Sequence, residues 1–276
     1  MRIFLAGGTG VIGRRLIPAL VAADHDVVAT TRREERLERL AGLGARGVVV
    51  DVYDAERLTE VMRQAMPDVV IHELTDLGGV DFEANARLRR VGTAHLVEAA
   101  AAASVERMIV ESIAWVYAPG EGPAVESEEL EAGTAVEEME LLAARLPHST
   151  VLRYGLLYGP GTWYAPGARM AEAVAAGEVA ATPSVSSFVH IDDAVAATVQ
   201  ALDWPDGEYN IVDDEPAAAT EWLPAFAAAV GAPAPAPAEL PEGAVPGRGA
   251  SNAKARRRGW KPRYTSWREG FRHLAE

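Results

Sequence analysis

The 276-residue chain has no cysteine, which excludes disulfides, thiol nucleophiles and thiolate metal sites. Lysine is nearly missing as well. Lys254 and Lys261 are the two present, so no ammonium side chain stands before residue 254. Positive charge is scarce overall: 26 Lys and Arg against 40 Asp and Glu leave a net charge of −14. That balance argues against nucleic acid as a partner, which needs a basic surface. No run of about 18 apolar residues occurs, so no membrane span is expected. The opening apolar run is cut by glycines after residue 6 and is too short for a secretion signal. A cytoplasmic protein is the expectation.

What is present is an alternation of short apolar runs and helix-period segments. RIFLAGG, DVVATTRR, RGVVVDVYD, PDVVIHEL, VERMIVES and STVLRYGLLYG read as six strands. Between them lie VIGRRLIPALVAA, EERLERLAGL and the long DFEANARLRRVGTAHLVEAAAAA. Such alternation implies βαβ units, and hence an α/β fold with a doubly wound parallel sheet. After about residue 160 the pattern loosens. SSFVHIDDAVAATVQAL reads as a strand and a helix capped by Asp192 or Asp193, and GEYNIVDD as a late strand. GAPAPAPAELPEGAVPGRGA is Pro-, Ala- and Gly-rich, read as a mobile loop or as a lid. The expected division is a nucleotide-binding region over 1–160 and a smaller substrate-binding region over 161–276, with some of its elements returning to the sheet.

The glycines of GGTGVIG stand where the first strand meets the first helix. Gly7 permits a tight turn, Gly10 lets backbone N–H groups approach a pyrophosphate, and Gly13 lets helix and strand pack closely. The helix N-terminus adds a partial positive charge. A dinucleotide is the matching ligand. Sites for NAD usually hold an acid after the second strand, on the ribose 2′-OH. Here Thr31, Arg32 and Arg33 occupy that region. A guanidinium suits a 2′-phosphate, so NADP(H) is preferred over NAD(H), with surface arginines as the plain alternative. The residues expected against the cofactor are Gly7, Thr9, Gly10, Val11, Ile12 and Gly13, then Thr31, Arg32 and Arg33, then Asp51 and Val52, then Glu73 and Leu74. Asp51 is equally readable as a turn residue.

An ordered set of segments carries a family resemblance over nearly the whole chain. GGTGVIG, NARLRRVGTAHLVEAA, WVYAPG, VLRYGLLYGPG, FVHIDDAVAA, YNIVDDEP and RRRGWKPRYTSWREGF resemble the extended short-chain dehydrogenase/reductases, the NAD-dependent epimerase/dehydratase group. The resemblance implies a Rossmann-like domain that binds NAD(P), with a smaller C-terminal substrate region. It also implies a catalytic Ser or Thr followed by Tyr-x-x-x-Lys, and these residues are missing. Ile113 stands at the Ser/Thr position, four before Tyr117. Ala132 and Val136 fall at the Tyr and Lys positions, and no Tyr occurs from 118 to 153. Ser112, one residue off, is the remaining catalytic candidate, although an extended strand points it to the other side.

The reading that follows is an atypical NADPH-dependent ketoreductase, like those of antibiotic pathways, acting on a bulky aromatic polyketide carbonyl without the usual proton relay. A nucleotide-sugar epimerase or dehydratase and a non-catalytic NADP(H) sensor are the alternatives. Tyr158, Trp163 and Tyr164 are candidates for the substrate mouth or for core. His72 is read as a titrating group or as a histidine satisfied by backbone. His190 with Asp192 and Asp193 looks metal-like, but one loop rarely makes a site, and no metal is expected. The partner is a small molecule, and the assembly is a monomer or a homodimer.

Overall fold

The computed structural model describes residues 1–76 and 81–274. In chain order its elements are β1 (Arg2–Ala6), α1 (Gly13–Ala22), β2 (Asp26–Thr31), α2 (Leu37–Gly42), β3 (Arg46–Val49), α3 (Ala55–Ala65), β4 (Val69–His72), α4 (Phe82–Arg87), α5 (Thr93–Ala102), β5 (Arg107–Ile113), α6 (Ala135–Ala143) and β6 (His148–Tyr154). The later part adds β7 (Leu156–Tyr158), α7 (Arg169–Ala175), β8 (Val185–Ser186), β9 (Phe188–His190), α8 (Ile191–Gln200), β10 (Gly207–Ile211), β11 (Ala217–Ala218), α9 (Ala219–Ala229), α10 (Ala253–Arg257) and α11 (Trp267–Arg272).

One seven-stranded sheet runs in the order β10-β6-β5-β4-β1-β2-β3. β1 pairs in parallel with β2 and β4, β2 with β3, and β4 with β5. Central strands buried on both faces read as continuous apolar runs rather than alternating ones. Ile3, Phe4 and Leu5 of β1 accordingly have no exposed surface. From β1 the chain winds outward through β2 and β3, then returns to place β4 and β5 on its other side. That reversal opens a crevice at the carboxyl end of β1, the usual ligand position in such sheets. This is the Rossmann-like doubly wound architecture expected from the alternation of elements.

The long helical stretch before β5 is continuous from Phe82 to Ala102, but a π-helical turn at Leu88–Gly92 separates α4 from α5. The segment STVLRYGLLYG divides at Gly155 into β6 and β7, because β7 leaves the main sheet to pair with β9. Asp192 and Asp193 do not cap their helix, since α8 begins at Ile191 and both lie inside its first turn. Asp193 instead accepts from the backbone N–H groups of Arg263 and Tyr264, at 2.7 and 3.2 Å.

The chain forms two units. The first comprises 1–112, 132–152 and 198–208; the second comprises 113–131, 153–197 and 209–276. In the first, Phe4, Val28, Leu58, Met62, Val70, Leu96 and Met108 share one core. In the second, an aromatic core gathers Tyr158, Tyr164, Phe188, Trp222, Phe226, Trp267 and Phe271. The Pro-rich stretch belongs to the second unit and is held at both ends. Ala181 bridges Pro237, Val185 bridges Arg248, and Ala124 bridges Ala250. Arg248 also pairs with Glu128 at 2.9 Å and donates to the carbonyls of Ala118, Glu121 and Gly122.

Candidate active site

The site is built upward from the β1–α1 turn. Gly7 has a φ of +100°, which side-chain-bearing residues rarely adopt, and a Cβ there would collide with the carbonyl of Glu73. A Cβ on Gly13 would collide with the carbonyl of Gly7. The turn is closed by Gly10 N–H to Gly7 O at 2.9 Å and tied to β2 by Gly7 N–H to Thr30 Oγ1 at 3.2 Å. Gly13 opens α1, with Ile12 preceding it. The loop is thus a cradle of bare backbone at a helix N-terminus, with side chains kept out by contact. That shape fits the pyrophosphate of a dinucleotide. Gly7, Thr9, Gly10, Val11, Ile12 and Gly13 are the residues that would hold it.

Around this cradle lie the other expected contacts. Thr31 ends β2, and its hydroxyl closes a local turn with Arg33 at 3.2 Å. Arg32 faces Asp76 at 3.9 Å, and Arg33 faces Glu35 at 3.8 Å. Arg36, which the sequence reading passed over, donates to Thr9 Oγ1 at 3.3 Å. Asp51 accepts from Tyr53 N–H at 3.0 Å, which is the turn alternative for that residue. Val52 is buried, and its carbonyl meets His95 Nδ1 at 2.8 Å. Glu73 and Leu74 follow β4, where Glu73 N–H donates to Ala6 O at 2.9 Å.

His72 is a satisfied core histidine. Its Nε2 meets Thr93 Oγ1 at 2.8 Å, and its Nδ1 accepts from Leu74 N–H at 3.2 Å. Burial first, and Arg89 second, lower its pKa to about 4, so it stays neutral and does not titrate near pH 7. Along the neighbouring strand, the pairing of His72 with Val110 continues to place Glu73 beside Glu111. Burial raises the Glu111 pKa, while a hydrogen bond with Glu73 and the charge of Arg89 oppose that rise.

Ser112 is fully buried and donates to Glu140 Oε1 at 2.5 Å. Its hydroxyl proton is therefore committed to a carboxylate of α6. Thr134 caps α6 by accepting from Glu137 N–H at 3.2 Å, so the helix begins at Ala135. Ala132 lies in the preceding turn, exposed to solvent, and Val136 is buried in the helix. Ile113, at the end of β5, is also buried. None of Ile113, Ala132 and Val136 has an atom that gives or takes a proton.

In the second unit, Tyr158 and Tyr164 belong to the aromatic core rather than to an open surface. Tyr158 stands edge-on to Phe271 at 5.3 Å, and Tyr164 to Phe226 at 5.4 Å. Burial raises both phenol pKa values. Trp163 is partly buried, with the Arg169 guanidinium 5.4 Å from its ring centre. His190 is enclosed by rings, 4.6 Å from Tyr264 and 5.2 Å from Tyr158, and Asp192 N–H donates to its Nδ1 at 3.2 Å.

Residues 3–212 match the model of the NAD dependent epimerase/dehydratase family. A 3-diazoavenalumate denitrifying reductase from a Streptomyces species is 41% identical over 308 aligned residues, which cover 98% of this chain and 99% of the relative. A 4-hydroxy-2-methyl-3-oxo-4-farnesyl-3,4-dihydroquinoline-1-oxide ketoreductase from Stigmatella aurantiaca is 37% identical over 122 residues, 44% of this chain and 36% of the relative. Among solved structures, the Bordetella bronchiseptica enzyme WbmG in complex with NAD and UDP superposes with a TM-score of 0.82 at 22% identity, over 100% of this chain and 94% of the other. The UDP-glucose 4-epimerase of Thermotoga maritima superposes at 0.79 and 22% identity, over 99% and 96%. The chain belongs to the NAD dependent epimerase/dehydratase family, as an NAD(P)-dependent oxidoreductase.

Proposed function

We propose that this protein is an NADPH-dependent reductase that replaces an electrophilic diazo group on an aromatic ring by hydrogen. One observation carries the reading: the positions of the family's proton relay hold Ile113, Ala132 and Val136, which have no transferable proton. Reducing a carbonyl requires both a hydride and a proton, and a positioned acid is worth about 100- to 10,000-fold. Reductive loss of dinitrogen from a diazonium needs the hydride alone. The bound reduced nicotinamide supplies that hydride. A C–H bond forms, the C–N bond breaks with its electron pair leaving as N2, and the cation's charge is cancelled without any proton. If the ring carries an ionised oxygen, water protonates it afterwards. The relative matched over nearly the whole of both chains, named a 3-diazoavenalumate denitrifying reductase, supports this chemistry.

The geometry supports the following roles for this chain's residues. The glycine cradle orients the dinucleotide. Ser112 and Glu140 act on each other and serve as positioning residues at the end of β5. Carbonyl reduction of a bulky aromatic polyketide remains the second reading, favoured by the relative named a ketoreductase.

Labelling separates the two. With NADPH deuterated at the transferred position and an aryl diazonium substrate, deuterium is expected on the ring carbon, with one N2 released per NADPH oxidised. The same reaction in D2O with unlabelled NADPH is expected to leave that carbon free of deuterium. Absence of N2 release, together with NADPH-dependent conversion of an aromatic ketone to its alcohol, overturns the first reading in favour of the second.

A further inference from the structure

The central sheet breaks its own pattern at the carboxyl ends of β4 and β5. A parallel strand covered on both faces is expected to be apolar throughout. Along β5, Met108, Ile109 and Val110 obey this, and then Glu111 interrupts the run. It is the residue left partly open between Met108 and Ile113, at the end of the sheet where the crevice lies. Glu73 stands beside it in continued register and is buried. A hydrogen bond joins the two carboxyl groups. Ionised carboxylates only accept, so that bond requires a proton held between them. Arg89, on the π-helical turn Leu88–Gly92, sets its charge against Glu111. Such turns are rare and recur at functional sites. His72 beside the pair stays neutral. Glu140 is engaged by Ser112, which alternation along β5 turns to the opposite face. β1 offers Ala6 and Gly7, which carry no charge. Arg89 thus balances one carboxylate, and the shared proton neutralises the other.

The place of the pair in the sheet gives it a role. A dinucleotide crosses the crevice at the switch point, with its two nucleoside halves on opposite sides of the pyrophosphate. Thr31, at the end of β2, marks the adenosine side. Glu73, whose carbonyl closes on Gly7, marks the other. We propose that Glu73 and Glu111 form a one-proton carboxyl pair facing the nicotinamide end of the bound dinucleotide, and that the pair gives up its proton to solvent when that ring is cationic, which favours the oxidised nucleotide and so promotes hydride release. The inference rests on the dinucleotide reading of the cradle and is independent of which substrate is reduced. A pyridinium carries a positive charge that a dihydropyridine lacks, and in a site with little water a second carboxylate balances it. The proton returns to the pair when the oxidised nucleotide leaves, so none is consumed.

Calorimetry with NADP+ and NADPH tests this without turnover. Each is titrated at one near-neutral pH in phosphate and in imidazole, whose different ionisation enthalpies reveal protons released on binding. NADP+ is expected to release more than NADPH, by up to about one proton per site. The 2′-phosphate is common to both and cancels. Accordingly, the preference for NADP+ should grow by up to about 10-fold per pH unit as the pH rises. Glu111→Gln and Glu73→Gln are each expected to abolish the difference in proton release and to weaken NADP+ relative to NADPH by about 10-fold. Both variants should bind 2′,5′-ADP, which lacks nicotinamide, as the unmodified protein does; where one does not, the contrast in the unmodified protein decides. Equal proton release for the two nucleotides overturns the proposal and leaves the cradle intact. So does a difference that survives in Glu111→Gln. Failure of the unmodified protein to bind either nucleotide overturns the dinucleotide reading with it.

Discussion

At the scale of single residues, buried polar groups make the sharpest predictions. Ser112 donates to Glu140 in the interior, so Ser112→Ala leaves a buried carboxylate short of a donor. A stability loss of about 1–3 kcal/mol is expected, read by urea denaturation. Reduction should slow only modestly if Ser112 positions rather than donates; collapse of turnover to background would make it an essential donor. Asp213 is almost fully buried, and its Oδ2 has no hydrogen-bond partner among the described residues. Burial, opposed by backbone N–H groups, raises its pKa from 3.8 to about 8. Because the folded state holds the proton more tightly than the unfolded one, this contribution to stability is complete below about pH 4. It is lost as the pH rises to about 8. Asp213→Asn is therefore expected to gain stability relative to the unmodified protein between those values, by a few kcal/mol at the upper end. Paired thermal melts across that range measure the difference, and a constant offset contradicts it.

At the scale of elements, two packing contacts govern the second unit. Gly270 on α11 lies against Tyr158, and a Cβ there would collide with the ring and hydroxyl. Gly270→Ala is expected to cost about 1–3 kcal/mol by overpacking the aromatic core, seen as a lower melting temperature. Arg248 secures the end of the Pro-rich stretch through Glu128 and the carbonyls of Ala118, Glu121 and Gly122. Arg248→Ala is expected to speed amide exchange over 239–250 while leaving exchange in β1 unchanged. Unaltered exchange in the Pro-rich stretch would show that its backbone bridges alone suffice. Composition marked this stretch as irregular, and it is. Its anchors were hidden, because Arg248 and Glu128 are 120 residues apart.

At the scale of the whole molecule, the net charge of −14 bears on the substrate. A cationic aryl diazonium is drawn toward an acidic protein, and salt screens that attraction over about 10 Å at 0.1 M. With the nucleotide saturating, kcat/KM for a diazonium should fall as salt rises, while that for a neutral ketone should stay nearly flat. Equal salt dependence would remove electrostatic steering from the account. Among the described residues, no helix is long and apolar enough to cross a membrane.

The sequence alone determined the alternation of strand and helix, the glycine cradle and the missing relay. Each is local: a turn needing Gly7 and Gly13 is written in neighbouring positions, and folding does not restore a phenol or an ammonium absent from residues 118–153. Only the tertiary structure decided that Arg36 rather than Arg32 is bonded to the loop. The same holds for the pairing of Ser112 with Glu140, the neutrality of His72, and the burial of Tyr158 and Tyr164 in a core. Those outcomes depend on distances between groups far apart along the chain and on how much water packing removes. A sequence pattern specifies which groups are available, and the packed structure sets which of them meet.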